Sequence, residues 1–127
     1  MRININKSLF PLKFTLRVLD RDFKFLFREH KMLVNDDELN TVYKSRIYVT
    51  LYNEDDEVIL ENEKLVYGVP IGIYLSRDRK DNLNPDFPEA FIFPWSEDGV
   101  EREVNYGNLN NTVYIEFIER IEDDADE

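Results

Sequence analysis

The chain has 127 residues and no cysteine, which is one domain's length and excludes disulfides, thiolate nucleophiles and cysteine-ligated metal sites. Hydrophobic residues make up 43% and aromatics 13%, with nine Phe and seven Tyr, too apolar a mixture for a disordered chain. The net charge is −11, from 27 acidic and 16 basic residues; that field repels phosphate, so neither nucleic acid nor anionic membrane is an expected partner.

From the N-terminus, Met1-Arg2-Ile3-Asn4-Ile5-Asn6-Lys7 lacks the apolar run of a signal peptide. No stretch approaches the roughly 18 apolar residues of a membrane span, so a soluble protein made in the cytoplasm is expected. The dominant period is then two. In Phe14-Thr15-Leu16-Arg17-Val18 the apolar residues fall on even numbers, and in Phe23-Lys24-Phe25-Leu26-Phe27-Arg28 on odd ones. Strict alternation puts one set on a single face of a strand. The short linker Leu19-Asp20-Arg21-Asp22 makes these two segments a hairpin.

One segment has helical spacing. Asn35 fits an N-cap ahead of Glu38, with Leu39, Val42 and Tyr43 at i, i+3 and i+4. Two turns at most would fit, and a structured hairpin loop fits equally well. Ile47, Val49 and Leu51 resume the alternation, Asn53-Glu54-Asp55-Asp56 turns the chain, and Val58-Ile59-Leu60 begins the return strand of a second hairpin. After Leu65-Val66-Tyr67, the residues Gly68, Pro70 and Gly72 break an apolar line, which predicts a bulge, a corner or an edge.

Residues 76–89 lose apolar periodicity and form the longest expected loop, the best place for an exposed functional element. Phe91-Ile92-Phe93 is expected to be a strand that stops at Pro94. Ser96-Glu97-Asp98-Gly99 is a turn, Glu101-Arg102-Glu103-Val104-Asn105 a short exposed strand, and residues 112–117 the last clear strand. There is no internal repeat. The expected organisation is one all-β domain over residues 1–119, an antiparallel β-barrel or β-sandwich of about seven or eight short strands. An acidic, fraying tail follows over residues 120–127.

Residues that could carry chemistry are few. His30 is the sole histidine, too little for a usual zinc site, and is expected to be a solvated residue at a strand end. Ser8, Ser45, Ser76 and Ser96 sit in no nucleophile elbow. Carboxylates cluster at residues 36–38, 55–57, 78 with 81, and 97–98, all in expected turns where acids face water. Neither residues 53–64 nor 78–89 supply the glycine of an EF-hand loop, which leaves room only for a weak calcium site. The four glycines at 68, 72, 99 and 107 are too scattered for a phosphate loop. No enzyme, cofactor or metal centre is expected. Trp95, between Pro94 and a turn, is the aromatic most suited to an interface.

The order of these segments resembles a known family. Ile47-Tyr48-Val49-Thr50-Leu51-Tyr52-Asn53 is followed by an acidic turn, then by a segment ending Tyr67-Gly68-Val69-Pro70. Phe91-Ile92-Phe93-Pro94 precedes Tyr106-Gly107-Asn108-Leu109-Asn110-Asn111-Thr112-Val113-Tyr114-Ile115. This is similar to the small baseplate plug proteins of tailed bacteriophages and prophages. There a strand of the "YVDLYD" kind precedes a "G-(I/V)-P" step, and "(Y/D)-x-x-L-(G/N)-(D/N)-T-V-x-L" forms the last strand. The likeness runs from about Phe14 to Phe117; residues 34–44 and 76–89 depart from the pattern.

The resemblance implies a non-enzymatic structural protein of the virion tail. It would plug or brace the central hub through contacts with tail hub, tube or baseplate proteins, and homo-oligomerisation as a trimer would follow the tail's symmetry by analogy. Arg77, Asp78, Arg79, Lys80, Phe87 and Trp95 are then the candidate partner contacts. Two other readings fit the composition. One is an acidic inhibitor that mimics DNA; the other is a small carbohydrate-binding module built on Tyr residues and Trp95.

Overall fold

The computed structural model describes residues 2–72, Pro88 and residues 90–119. Among these lie seven strands: β1 (Arg2–Ile3), β2 (Leu12–Val18), β3 (Arg21–Asn35), β4 (Thr41–Tyr52), β5 (Val58–Lys64), β6 (Ala90–Ser96) and β7 (Val113–Glu119). A single 3-10 turn at Lys7–Leu9 precedes β2. The strands form two antiparallel sheets, ordered β2-β3-β4-β5 and β1-β7-β6. They do not close on one another, so of the two all-β architectures the protein adopts the sandwich-like one.

Alternation decides which side chains meet between the sheets. Phe23, Phe25 and Phe27 of β3 and Ile47, Val49 and Leu51 of β4 are buried on one layer. Ile92 of β6 and Val113, Ile115 and Phe117 of β7 are buried on the other. Both sets belong to one apolar cluster. Phe14 stacks on Phe25 with ring centroids 5.7 Å apart and meets Phe27 edge-on at the same distance, geometries that add to area burial. A buried Phe of this kind is worth about 3–5 kcal/mol against alanine.

The connection after β5 ties the layers together. Leu65 N donates to Ile47 O at 2.8 Å on the β4 side, and Gly68 N and Ile71 N donate to Pro94 O and Ile92 O of β6, each at 2.8 Å. The segment broken by Gly68, Pro70 and Gly72 is thus a corner that covers the free edge of β6. Gly68 sits at φ +72°, a conformation that glycine adopts at no steric cost.

Several expectations need correction. Proline does not stop β6: the strand runs through Pro94, paired with Ile115, to Ser96. Its carbonyl points to Gly68, away from β7, so the missing N–H lies on the sheet's outer edge, where a ladder bond is not needed. Residues 101–105 form no strand; Val104 is buried by packing without ladder partners. β1, two residues long, was not foreseen and pairs Arg2 with Glu116 and Ile3 with Ile115.

Of the two options for residues 35–43, the hairpin loop is found. β3 and β4 run on to Asn35 and Thr41 and pair throughout. Asp36 Oδ1 accepts from the N–H groups of Glu38 and Asn40 at 2.9 and 2.8 Å, closing a tight turn. The predicted loop at 76–89, save Pro88, and the tail at 120–127 lie outside the described residues.

Candidate partner-binding surfaces

Among the described residues, two groups of neighbouring apolar side chains face solvent. The first is the outer face of the three-stranded sheet, where alternation turns Phe91, Phe93 and Trp95 of β6 away from the core. Trp95 lies opposite Tyr114, and Phe91 opposite Ile118. Trp95 is 41% exposed. It stacks on Tyr67 with centroids 5.1 Å apart and planes at 21°, while Phe93 meets it edge-on at 6.2 Å. Beside it, the Arg2 guanidinium lies 3.9 Å from the Tyr114 ring and pairs with Glu97 and Glu116 at 3.2 and 3.1 Å.

A polar chain that starts at buried Tyr67 and Ser96 and ends at exposed Asp98 and half-exposed Arg102 fixes this platform from beneath. Tyr67 Oη and Ser96 Oγ are 2.9 Å apart, and Ser96 Oγ donates to Asp98 Oδ1 at 2.7 Å. Arg102 grips the Asp98 carboxylate with two bonds of 3.0 and 2.9 Å. The guanidinium of Arg102, aided by Ser96 and the Val100 N–H, holds the Asp98 carboxyl well below the usual carboxylate range. Such two-pronged, charge-assisted contacts favour one geometry, so the platform is a preset surface.

The second surface is the far half of the β3–β4 hairpin. β2 leaves β3 after the Leu12–Phe27 pair, and β5 reaches β4 no further than Tyr48. Beyond those points the two strands continue as a ribbon with no further ladder partner among the described residues, Leu33 standing opposite Tyr43. Leu33 is 61% exposed, Tyr43 74% and Leu39, at the tip, 80%. Residues 28–35 and 41–48 carry Arg28, Lys31, Lys44 and Arg46 against Glu29 alone, a basic shaft on an acidic protein. Arg28 donates to Asn62 Oδ1, and Lys44 lies 3.6 Å from Glu103. Arg46 Nε is buried with no hydrogen-bond partner among the described residues.

At the base of the ribbon, its core-side face meets residues 103–105 and leaves a groove of about 720 Å³ lined by Glu29, Lys31, Tyr43, Lys44, Ser45, Glu103 and Asn105. The wall is firm. Tyr106 N donates to Ser45 Oγ at 2.8 Å, and Lys7 Nζ donates to Tyr106 O at 2.7 Å. Asn105 and Asn108 each accept the other's backbone N–H at 2.9 and 3.0 Å.

Comparison with protein families finds a match to the family described as cyanophage baseplate Pam3 plug gp18, spanning residues 2–120. That is nearly the whole chain. The protein belongs to this family of phage baseplate plug proteins. No curated protein and no solved structure matches it.

The family assignment read from sequence therefore stands, and it makes the plug protein a structural component of a phage baseplate. Of the six candidate contacts, Trp95 alone falls among the described residues, on the aromatic face. Arg77, Asp78, Arg79, Lys80 and Phe87 lie outside them. His30 is solvated but is not at a strand end: it stands within β3, opposite Arg46, its ring 6.2 Å from Tyr48 and edge-on to it. Sequence reasoning missed the ribbon as an exposed surface. Its signal was the consecutive apolar run Met32-Leu33-Val34 beside Tyr43, which no alternation absorbs.

Proposed function

We propose that this plug protein braces the central hub of a tail baseplate through protein–protein contacts and does no chemistry there. The family match over residues 2–120 is the observation that carries this reading. The geometry suits such a role, since a rigid sandwich with two exposed apolar surfaces at different places offers more than one neighbour a docking face. In a position on the tail axis, three copies would satisfy the symmetry of the assembly. The candidate contacts of the 77–87 segment and Trp95 would then serve hub or tube proteins.

Three of the turn carboxylates are engaged within the chain, which weakens the DNA-mimic alternative. Asp36 is spent on its own turn, Asp56 pairs with Lys24 at 2.6 Å, and Asp98 is held by Arg102. A phosphate imitation needs carboxylates free and spaced along a face. The test is an affinity pull-down of the tagged protein from cells producing the phage, read by mass spectrometry. Recovery of hub, tube or baseplate proteins is the expected result; recovery of a host nuclease without tail proteins overturns it.

A further inference from the structure

We propose that the free edge of β3 beyond Phe27 takes an extended acidic segment of a neighbouring protein as an added strand. In the plug reading, on which this rests, that neighbour is a tail protein. Three observations converge on the same half of the hairpin.

The first is the edge itself. From Arg28 to the turn at Asp36, β3 has β4 on one side and no ladder partner on the other among the described residues. A row of unpaired N–H and C=O groups is a template for another strand, and proteins that leave one open usually shorten it, break it with proline or charge it, so the charges here select which strand can add. Here it is long, proline-free and carries Met32, Leu33 and Val34 in succession. A two-stranded ribbon is barely stable alone in water, so a third strand has something to add.

The second is charge. Arg28, Lys31, Lys44 and Arg46 gather on the shaft of a chain whose net charge is −11. Lys31 makes no ion pair with the described residues, and the Nε of Arg46 lacks an acceptor among them. Glu29 is the one acid on the shaft, and Asp36, Asp37 and Glu38 lie at the tip. Two such shafts repel each other, which argues against a second copy seated edge to edge, whereas carboxylates on an incoming strand complement both. The third is the groove. Side chains of an added strand that face the same way as Lys31 and Leu33 stand over the 720 Å³ hollow walled by Glu103 and Asn105, where the Tyr43 ring and the methylene stems of Lys31 and Lys44 offer an apolar residue a contact. Backbone pairing supplies affinity and the alternate side chains supply choice.

The test uses the full-length protein and, as a probe, an acetylated and amidated octapeptide alternating glutamate with valine. Amide exchange is followed by NMR, and the expected result is at least about tenfold slower exchange within residues 28–35 at saturating peptide, with other edges unchanged. Substituting Arg28→Glu, on the face opposite the hollow where the glutamates stand, weakens binding at least about fivefold by reversing a close charge. A lysine–valine octapeptide, which needs no variant, fails to protect the edge.

No protection, or equal protection by the lysine peptide, overturns the proposal. So does protection that grows with protein concentration alone, which marks a second copy, or protection by oligodeoxythymidine rather than peptide, which marks nucleic acid. Presence in purified tails is scored separately by mass spectrometry. A protein found in tails that ignores the acidic peptide sinks strand addition and leaves the plug reading standing; a protein that binds the peptide but is absent from tails does the reverse.

Discussion

The Gly68 N–H donates to the Pro94 carbonyl at 2.8 Å, joining the corner after β5 to the outer edge of β6. The proline can sit inside a strand because its lost N–H faces this corner, and the corner can pass so close because Gly68 accepts φ +72°. A Cβ at position 68 would lie 3.6 Å from Trp95, an ordinary contact. The cost of Gly68→Ala is therefore conformational, about 1–2 kcal/mol. The expected outcome is a melting temperature lower by several degrees, with the fluorescence of Trp95 hardly moved. A large spectral change would mean that the side chain, not the backbone, objects.

Asn53 is the second turn device. It is buried, accepts the N–H groups of Asp55 and Glu57 on Oδ1 at 2.9 Å each, and donates from Nδ2 to Glu57 Oε1 at 3.0 Å. Asn53→Ala orphans two backbone donors in a half-closed site and is expected to cost about 1–3 kcal/mol by urea denaturation. Asn53→Asp keeps the acceptor but sets a carboxylate against Glu57, so it should fall between the two and improve as pH drops. A neutral Asn53→Ala would show that water replaces the side chain freely.

How much of this was legible follows the burial pattern. Where a layer covers a strand, as at Phe23, Phe25 and Phe27 or Ile47, Val49 and Leu51, alternation is enforced and the sequence reads cleanly. Beyond its base the ribbon has no covering layer among the described residues, so Arg28-Glu29-His30-Lys31-Met32-Leu33-Val34 carries no period and its length was invisible. Residues 101–105 show the opposite failure. Val104 is buried, but a polar stretch around one apolar residue alternates by chance and holds no ladder. The family's last motif was readable because its residues are structural: the Asn108 carbonyl accepts from Thr112 N and Val113 N at 2.9 Å each, and Leu109 fills the core. Trp95 stood out as a lone tryptophan; that it belongs to a row with Phe93 and Tyr114 required the register.

Acid should loosen the protein through Asp98 before it touches the core. The folded carboxyl titrates below its unfolded range because Arg102 favours the anion. Its contribution is therefore complete above the unfolded value, near 4, and is lost as pH falls through the folded one. Replacing Arg102 with Met removes the main cause, and the prediction is an acid transition that moves to higher pH, with Tyr67 and Trp95 reporting it by fluorescence. An unchanged transition in Arg102→Met would assign acid sensitivity to other carboxylates, such as Asp56, which Lys24 also lowers.

Glu63 runs the other way. Burial pushes its carboxyl up, and the Gly72 N–H, donating at 2.8 Å, offsets only part of that. A raised acid binds its proton more tightly in the folded state, so its contribution is largest at low pH and declines as pH rises from the unfolded value near 4.3 through the folded one. Glu63→Gln keeps an acceptor for Gly72 and carries no charge. It is expected to be at least as stable as the parent at pH 7 and to show a flatter stability profile above about pH 4. A less stable Glu63→Gln would mean that the anion has a stabilising partner.

Leu39 sets local stability against contact. It occupies the ribbon tip at φ +65° with 80% of its surface exposed, a bulky residue in a conformation that suits glycine. It therefore costs the turn about 1 kcal/mol and recovers nothing by burial within the chain. Because the ribbon can open without the sandwich, global melting is a poor gauge, and exchange of the amides in residues 28–35 and 41–48 is the better one. Leu39→Gly should slow that exchange about fivefold, the factor that 1 kcal/mol represents. If the tip is kept apolar for a neighbour, the same variant should be recovered with tail proteins less well than the parent, more stable yet poorer at assembly. A variant that gains stability and assembles equally well would show that Leu39 serves no contact.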